Sequence, residues 1–206
     1  MKLYHLCSGP LGVNTFFLIN ELTKQAVVID GGENYKKVKQ VEESLGVKIV
    51  ALLLTHAHFD HSGNAKKLQD DGAKVYISSI DAPKLNNDGN LGYRFGRKFE
   101  NLIADHLLEN NEELNIAGIK IKAIATPGHT DGSMTFMVDN MLFTGDTLFL
   151  ESVGRTDFPT GDKNQLINSV KMLFSLDSDY QVYPGHEDFT TLSHERIYNT
   201  FAIVDI

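Results

Sequence analysis

The sequence has one cysteine among 206 residues, Cys7, so no disulfide can form within the chain. That suits a reducing compartment, and we expect a cytoplasmic protein. Cys7 itself reads as a small core residue. Positive charge is scarce as well: lysine and arginine total 19 against 27 acids, a formal net charge of −8. Reading a phosphate backbone needs a basic face, so this balance argues against a nucleic-acid partner. Long apolar runs are missing too. The N-terminal stretch is broken by Ser8-Gly9-Pro10 and again by Asn14-Thr15, which leaves neither a signal-peptide core nor a membrane span. There is no repeat, low-complexity tract or linker, and 42% hydrophobic with 22% charged residues is an ordinary globular balance. One α/β domain over residues 1–206 is the expectation.

What is present alternates between strand and helix patterns. Short strands are expected over residues 3–6, 13–20 and 25–30, the last closing in the turn Asp30-Gly31-Gly32. Tyr35, Val38, Val41 and Leu45 share one face of a helix over 33–45, which Gly46 can end. The apolar run 47–54 reads as a strand buried on both faces. A helix over 62–71, stopped by Gly72, and a strand over 74–77 follow. Residues 86–92 are rich in turn formers. Beyond them Phe95, Phe99, Leu102, Ile103 and His106 keep helical spacing, predicting a helix over about 93–108 on which His106 packs against a neighbour.

The last third returns to strands over 113–116, 119–126, 133–138 and 141–144, with Asp139-Asn140 as a hairpin turn. Asp162 and Gln165 form a capping box for a helix ending at Phe174. A strand over 180–183 and a helix from 193 to about 201 close the chain. Strands, a helix and a polar loop recur in both halves, which suggests a duplicated sandwich.

The densest chemistry lies in Thr55-His56-Ala57-His58-Phe59-Asp60-His61, directly after the buried strand, where open α/β sheets place ligand sites. Packing alone does not favour three imidazoles and a carboxylate so close together, because buried rings need partners and charged rings repel. A metal ion answers both objections. Three later loops have the same style, each following an expected strand: Pro127-Gly128-His129, Gly145-Asp146-Thr147 and Pro184-Gly185-His186. Alone, each would read as a tight turn. Together the four gather five of the eight histidines and two aspartates; His5, His106 and His194 stay outside the pattern.

This signature resembles that of the metallo-β-lactamase-fold hydrolases, and the resemblance runs from the N-terminal strands to His186. It implies a four-layer αββα sandwich, two mixed sheets flanked by helices, with a metal site along one edge. It implies His56, His58 and His129 as ligands of one divalent ion, Asp60, His61 and His186 as ligands of a second, and Asp146 as the bridge. Zinc is expected, and iron or manganese would suit the same donors. A hydroxide shared by two such ions would attack a polarised carbonyl, with Asp60 orienting it or taking up its proton.

The segment Gly154-Arg155-Thr156-Asp157 resembles a stretch shared by short glyoxalase II-like hydrolases and persulfide dioxygenases. Arg155 and Asp157 are expected to pair and brace the metal loops. The resemblance implies a thioesterase of the hydroxyacylglutathione hydrolase type, cleaving a small 2-hydroxyacyl thioester such as S-lactoylglutathione. The alternatives are an oxygenase with one ferrous ion on His56, His129 and Asp146, or a metal-binding module without turnover. Exported class B β-lactamases, which lack this aspartate pattern, are set aside. The chain ends about twenty residues after His186, without the C-terminal helical region by which longer glyoxalase II enzymes grip glutathione. Tyr93, Arg94, Arg97 and Arg155 are therefore the candidates for substrate contact. The oligomeric state is left open.

Overall fold

Two six-stranded sheets carry the computed structural model, which describes residues 1–98 and 101–203, the side chains of 202 and 203 excepted. The first sheet begins as an antiparallel meander of β1 (Lys2–Ser8), β2 (Val13–Asn20) and β3 (Gln25–Ile29). Helix α1 (Tyr35–Leu45) crosses over to β4 (Lys48–Leu53), which lies parallel to β3. Asn34 caps α1 by accepting from Lys37 N, and Gly46 ends it in the left-handed conformation at φ 59°. Two short helices, α2 (Phe59–Ser62) and α3 (Ala65–Asp70), lead to β5 (Lys74–Ser78) and then to β6 (His106–Leu108), both parallel additions.

The second sheet is built from β7 (Glu112–Ile116), β8 (Ile119–Ala125), β9 (Met134–Val138) and β10 (Met141–Gly145), each antiparallel to the one before. A small hairpin, β11 (Leu148–Phe149) and β12 (Ser152–Val153), precedes helix α4 (Lys163–Phe174). The chain then adds β13 (Gln181–Pro184) parallel to β10, the short edge strand β14 (Thr190–Thr191), α5 (Leu192–Tyr198) and α6 (Thr200–Ile203).

Alternation along the strands explains the layering. In β2, Phe17 and Ile19 face α1 and α3, joining Val38, Val41 and Leu68. Their neighbours Phe16 and Leu18 face the other way and meet Ile121, Phe136 and Phe143 of the second sheet. Behind that sheet, Leu142 and Val182 pack on Val170 and Leu173 of α4 and Leu192 of α5. Three apolar layers thus separate helix, sheet, sheet and helix, the four-layer αββα sandwich expected from the sequence.

Several local expectations change. The helix expected over 62–71 starts earlier and is interrupted. Gly63 sits where a Cβ would lie 2.6 Å from Phe59 O, and Asn64 Nδ2 donates to Gly31 O at 2.9 Å, breaking the run into α2 and α3. The helix expected over 93–108 does not form among the described residues of that span. A single 3-10 turn, Gly92–Phe95, stops at Gly96 in the left-handed region, φ 69°. Pairing with β5 then outcompetes helical propensity: Asp105 N donates to Val75 O at 2.9 Å and His106 begins β6. Of the expected stripe, Leu102 is buried, Phe95 and Ile103 are exposed, and Phe99 lies outside the described residues. His106 does pack against a neighbour, Glu112, at 2.6 Å. Cys7 is exposed rather than buried, because β1 is the outermost strand and its Sγ turns outward to Gly12 O at 3.5 Å. The closing helix is divided at Asn199 into α5 and α6.

Candidate metal centre

β3 and β4 are parallel, and β8, β10 and β13 share one direction in the other sheet, so their C-terminal ends converge on one edge of the sandwich. Asp30 follows β3, the histidine cluster follows β4, His129 follows β8, Asp146 follows β10 and His186 follows β13. The sheets are stitched here by Met134 N donating to Thr55 O and Asn14 N to Gly185 O, both at 2.8 Å. Asp60 and His61 sit on the single turn of α2, which aims both side chains at the same point.

The structure brings all seven expected ligand residues together. Potential donor atoms of His56, His58 and His129 lie within 4.8 Å of one another, as do those of Asp60, His61 and His186, and those of His56, His61 and Asp146. His129 Nε2 is 2.9 Å from His58 Nδ1, and His61 Nε2 is 3.3 Å from His186 Nε2. Asp146 lies between the groups, with Oδ1 3.4 Å from His61 Nε2 and Oδ2 3.5 Å from His129 Nε2. Asp60 Oδ2 is 3.4 Å from His186 Nε2.

Each ring is fixed by its far nitrogen wherever a partner exists. His61 Nδ1 meets Asp30 Oδ2 at 2.9 Å, His129 Nδ1 donates to Arg155 O at 2.8 Å, and His186 Nδ1 donates to Leu11 O at 3.0 Å. His56 Nδ1 lies 3.0 Å from Thr55 Oγ1, whose own proton goes to Asp30 Oδ2 at 2.8 Å; the hydroxyl therefore accepts from His56. These bonds turn one nitrogen of His56, His61, His129 and His186 outward, so that the inward nitrogen of each ring is the one offered to a cation. Asp30 holds its backbone at φ 53°, a left-handed conformation that aspartate tolerates better than most residues.

The donor set fits a divalent ion on three counts. His56 Nε2 and Asp146 Oδ1 are buried without a hydrogen-bond partner among the described residues, a costly state unless a cation accepts their lone pairs. The nitrogen spacings above are near roughly 3.3 Å, the edge of a tetrahedron of ligands about 2.0–2.1 Å from zinc. Gly185 keeps the space open, since a Cβ there would lie 2.5 Å from Asp146 Oδ1 and 2.6 Å from His61 Cε1.

Protonation follows burial and neighbours. Burial, reinforced by the neighbouring histidines, drives His56 well below the ordinary imidazole range, and burial with His129 takes His58 down to about 3. His61 is equally buried, which opposes charge, yet Asp146, Asp60 and Asp30 together raise it to about 10. For His186 burial is likewise outweighed by Asp60 and Asp146, and the ring is raised. Asp60 is pulled below the usual carboxylate range: burial resists its charge, but His61 and His186 win.

The four expected substrate residues separate. Arg155 pairs with Asp157 at 2.7 and 2.6 Å, as expected, and its guanidinium lies 3.9 Å above the Phe158 ring. Arg94 faces the same ring at 5.3 Å, and Phe158 itself meets His58 edge-on at 5.8 Å. Tyr93 is half-exposed beside Arg94. Arg97 instead pairs with Glu33 in a cleft behind Phe59 and Ser62. Sequence reasoning missed Asp30, Thr55 and Phe158. Asp30 carried a usable signal, an acid directly after an apolar strand, the style of the other loops.

A sandwich whose sheet ends gather histidines and aspartates around unpartnered lone pairs defines a metallo-hydrolase type of protein suited to divalent metal. Residues 8–186 match the Metallo-beta-lactamase superfamily, and the chain belongs to it. A probable metallo-hydrolase of Streptococcus pyogenes is 35% identical over 98% of this chain and 90% of its own length. The hydroxyacylglutathione hydrolase GloC of Haemophilus influenzae is 35% identical over 89% of this chain and 90% of its own. The crystal structure of the BLEG-1 B3 metallo-β-lactamase superposes with a TM-score of 0.92 at 32% identity, covering 98% of this chain and 99% of its own. TTHA1623, solved in a di-iron-bound form, superposes at 0.86 with 31% identity, covering 96% and 99%.

Proposed function

We propose that the protein is a thioester hydrolase of the hydroxyacylglutathione hydrolase type, acting on a small 2-hydroxyacyl thioester such as S-lactoylglutathione. His56, His58 and His129 would hold one divalent ion, Asp60, His61 and His186 a second, and Asp146 would join them. The observation that carries this reading is the pair of donor groups with Asp146 lying between them, and buried lone pairs that no hydrogen bond among the described residues satisfies. When bound, such ions lower the pKa of a water and polarise a carbonyl oxygen. Zinc is the first choice, and iron or manganese fit the same donors. The similarity to GloC supports the substrate class.

The chain's own residues would then do the following. Asp60, held ionised, orients the attacking water through one carboxylate oxygen and can take its proton. A thiolate leaving group is weakly basic, so no dedicated acid is required. Arg94 and Arg155 flank Phe158 beside His58 and would meet anionic groups of the thiol half, with Tyr93 at the rim; Arg97 would contribute only from the neighbouring cleft. We place the protein in the cytoplasm as one domain working on a small molecule, in keeping with its lone cysteine and acidic balance. No helix among the described residues is long and apolar enough to cross a membrane.

The second reading, an oxygenase using one iron, draws on histidine pairs that share a carboxylate: His56 with His129, both near Asp146, and the His56, His61, Asp146 group. The test is loss of thioester absorbance with S-lactoylglutathione in an oxygen-electrode cell. Hydrolysis without oxygen uptake is the expected result. Oxygen consumption with glutathione persulfide, or turnover of a β-lactam in preference to any thioester, would overturn it.

A further inference from the structure

Asp81 follows β5 and is fully buried, yet belongs to neither ligand group. Its Oδ2 accepts from Ala57 N at 2.8 Å and from Thr130 Oγ1 at 3.0 Å. Ala57 stands between His56 and His58, and Thr130 follows His129. One oxygen atom therefore ties the loop that carries His56 and His58, after a strand of the first sheet, to the loop that carries His129, after a strand of the second. The other oxygen is held by Lys84 Nζ, which also reaches Asp131. The junction is tight: Asp81 N donates to Ser78 Oγ at 3.1 Å, Ser78 Oγ donates to Gly132 O at 2.7 Å, and a Cβ at Gly132 would lie 2.4 Å from Asp81 Oδ1.

A buried ion pair is weak support for stability, because desolvation offsets most of its attraction and well-packed apolar residues often do as well. An apolar residue cannot accept two hydrogen bonds from separate loops. Without the acceptor, a buried amide and a buried hydroxyl would each lose a partner, and the loops would move apart to find others.

We propose that Asp81 is a positioning residue for the three-histidine site, setting the distance between His56–His58 and His129 through its shared oxygen. This rests on the metal-binding reading above. The effect is selective, because His186 is fastened elsewhere: its ring to Leu11 O, and its loop by Asn14 Nδ2 donating to Pro184 O and Glu187 O at 3.0 Å each.

The test compares Asp81→Ala, Asp81→Asn and Lys84→Met by zinc stoichiometry after equilibrium dialysis and by the visible spectrum of the cobalt-substituted protein. Wild type should hold two ions. Asp81→Ala should keep one and bind the other about 10–100-fold more weakly, the usual effect of losing a group that orients ligands. Asp81→Asn, which still offers one acceptor oxygen to both loops, should retain both ions, as should Lys84→Met. Thr130→Val removes only one of the two bonds; should Asp81→Ala fail to fold, weakened binding of one ion with an altered cobalt spectrum in Thr130→Val carries the test. Equal losses in Asp81→Ala and Lys84→Met would make the ion pair, not the shared acceptor, the cause and overturn the proposal. So would wild-type affinity and spectrum in a folded Asp81→Ala or in Thr130→Val. A wild-type protein that binds no metal would instead overturn the metal reading.

Discussion

At the scale of single residues, the centre depends on groups that never touch a cation. Thr55 Oγ1 accepts from His56 and donates to Asp30, so it fixes a ring and relays a carboxylate at once. Thr55→Val conserves shape but removes both bonds, and should weaken zinc binding about 10–100-fold, measurable by competition with a chromophoric chelator. Protonation gives a second check. In the metal-free protein His61 is raised to about 10 by three carboxylates, against about 6.5 when unfolded. Its stabilising proton is fully present below about pH 6.5 and lost as pH rises towards about 10, so metal-free protein should melt lower at pH 9 than at pH 7. Metal uptake needs the neutral ring, so zinc added at pH 7.5 in weak buffer should release protons and bind more tightly as pH rises. A metal-free melting temperature that climbs from pH 7 to pH 9 would contradict the charge state given to His61.

At the scale of elements, periodicity was legible wherever one face is buried in a continuous layer. Leu166, Val170 and Leu173 of α4 mark such a face, and Asp162 caps the helix by accepting from Gln165 N at 2.9 Å. Leu173→Ala should cost about 2–5 kcal/mol in urea unfolding, whereas Leu22→Ala, at a 96% exposed turn, should stay within about 0.5 kcal/mol. Near-equal costs would contradict the layering. The segment from 93 to 108 failed because the competing term is not local. Helical spacing of Phe95, Leu102 and His106 is visible in sequence, but the open edge of β5 that captures residues 106–108 is not. The same holds for Cys7, whose exposure follows from the position of β1 at the sheet edge.

At the scale of the molecule, the sandwich and the edge on which its ligands converge were both foreshadowed by one pattern, polar loops placed directly after apolar strands. Four such loops were legible because their histidines and aspartates are rare in packed cores. Asp81 was not, because an acid in the turn beyond a strand looks like any other until the fold shows what its oxygens hold. The grouping of the candidate substrate residues was also illegible: Arg94 and Arg155 come together only through Phe158, a contact between segments more than fifty residues apart in sequence. The dinuclear site is the central claim, and metal content tests it most directly. Protein purified without added metal, analysed by mass spectrometry of its ions, should carry close to two divalent ions per chain, and Asp146→Ala should carry neither. One ion in the wild type, or two retained by a folded Asp146→Ala, would contradict it.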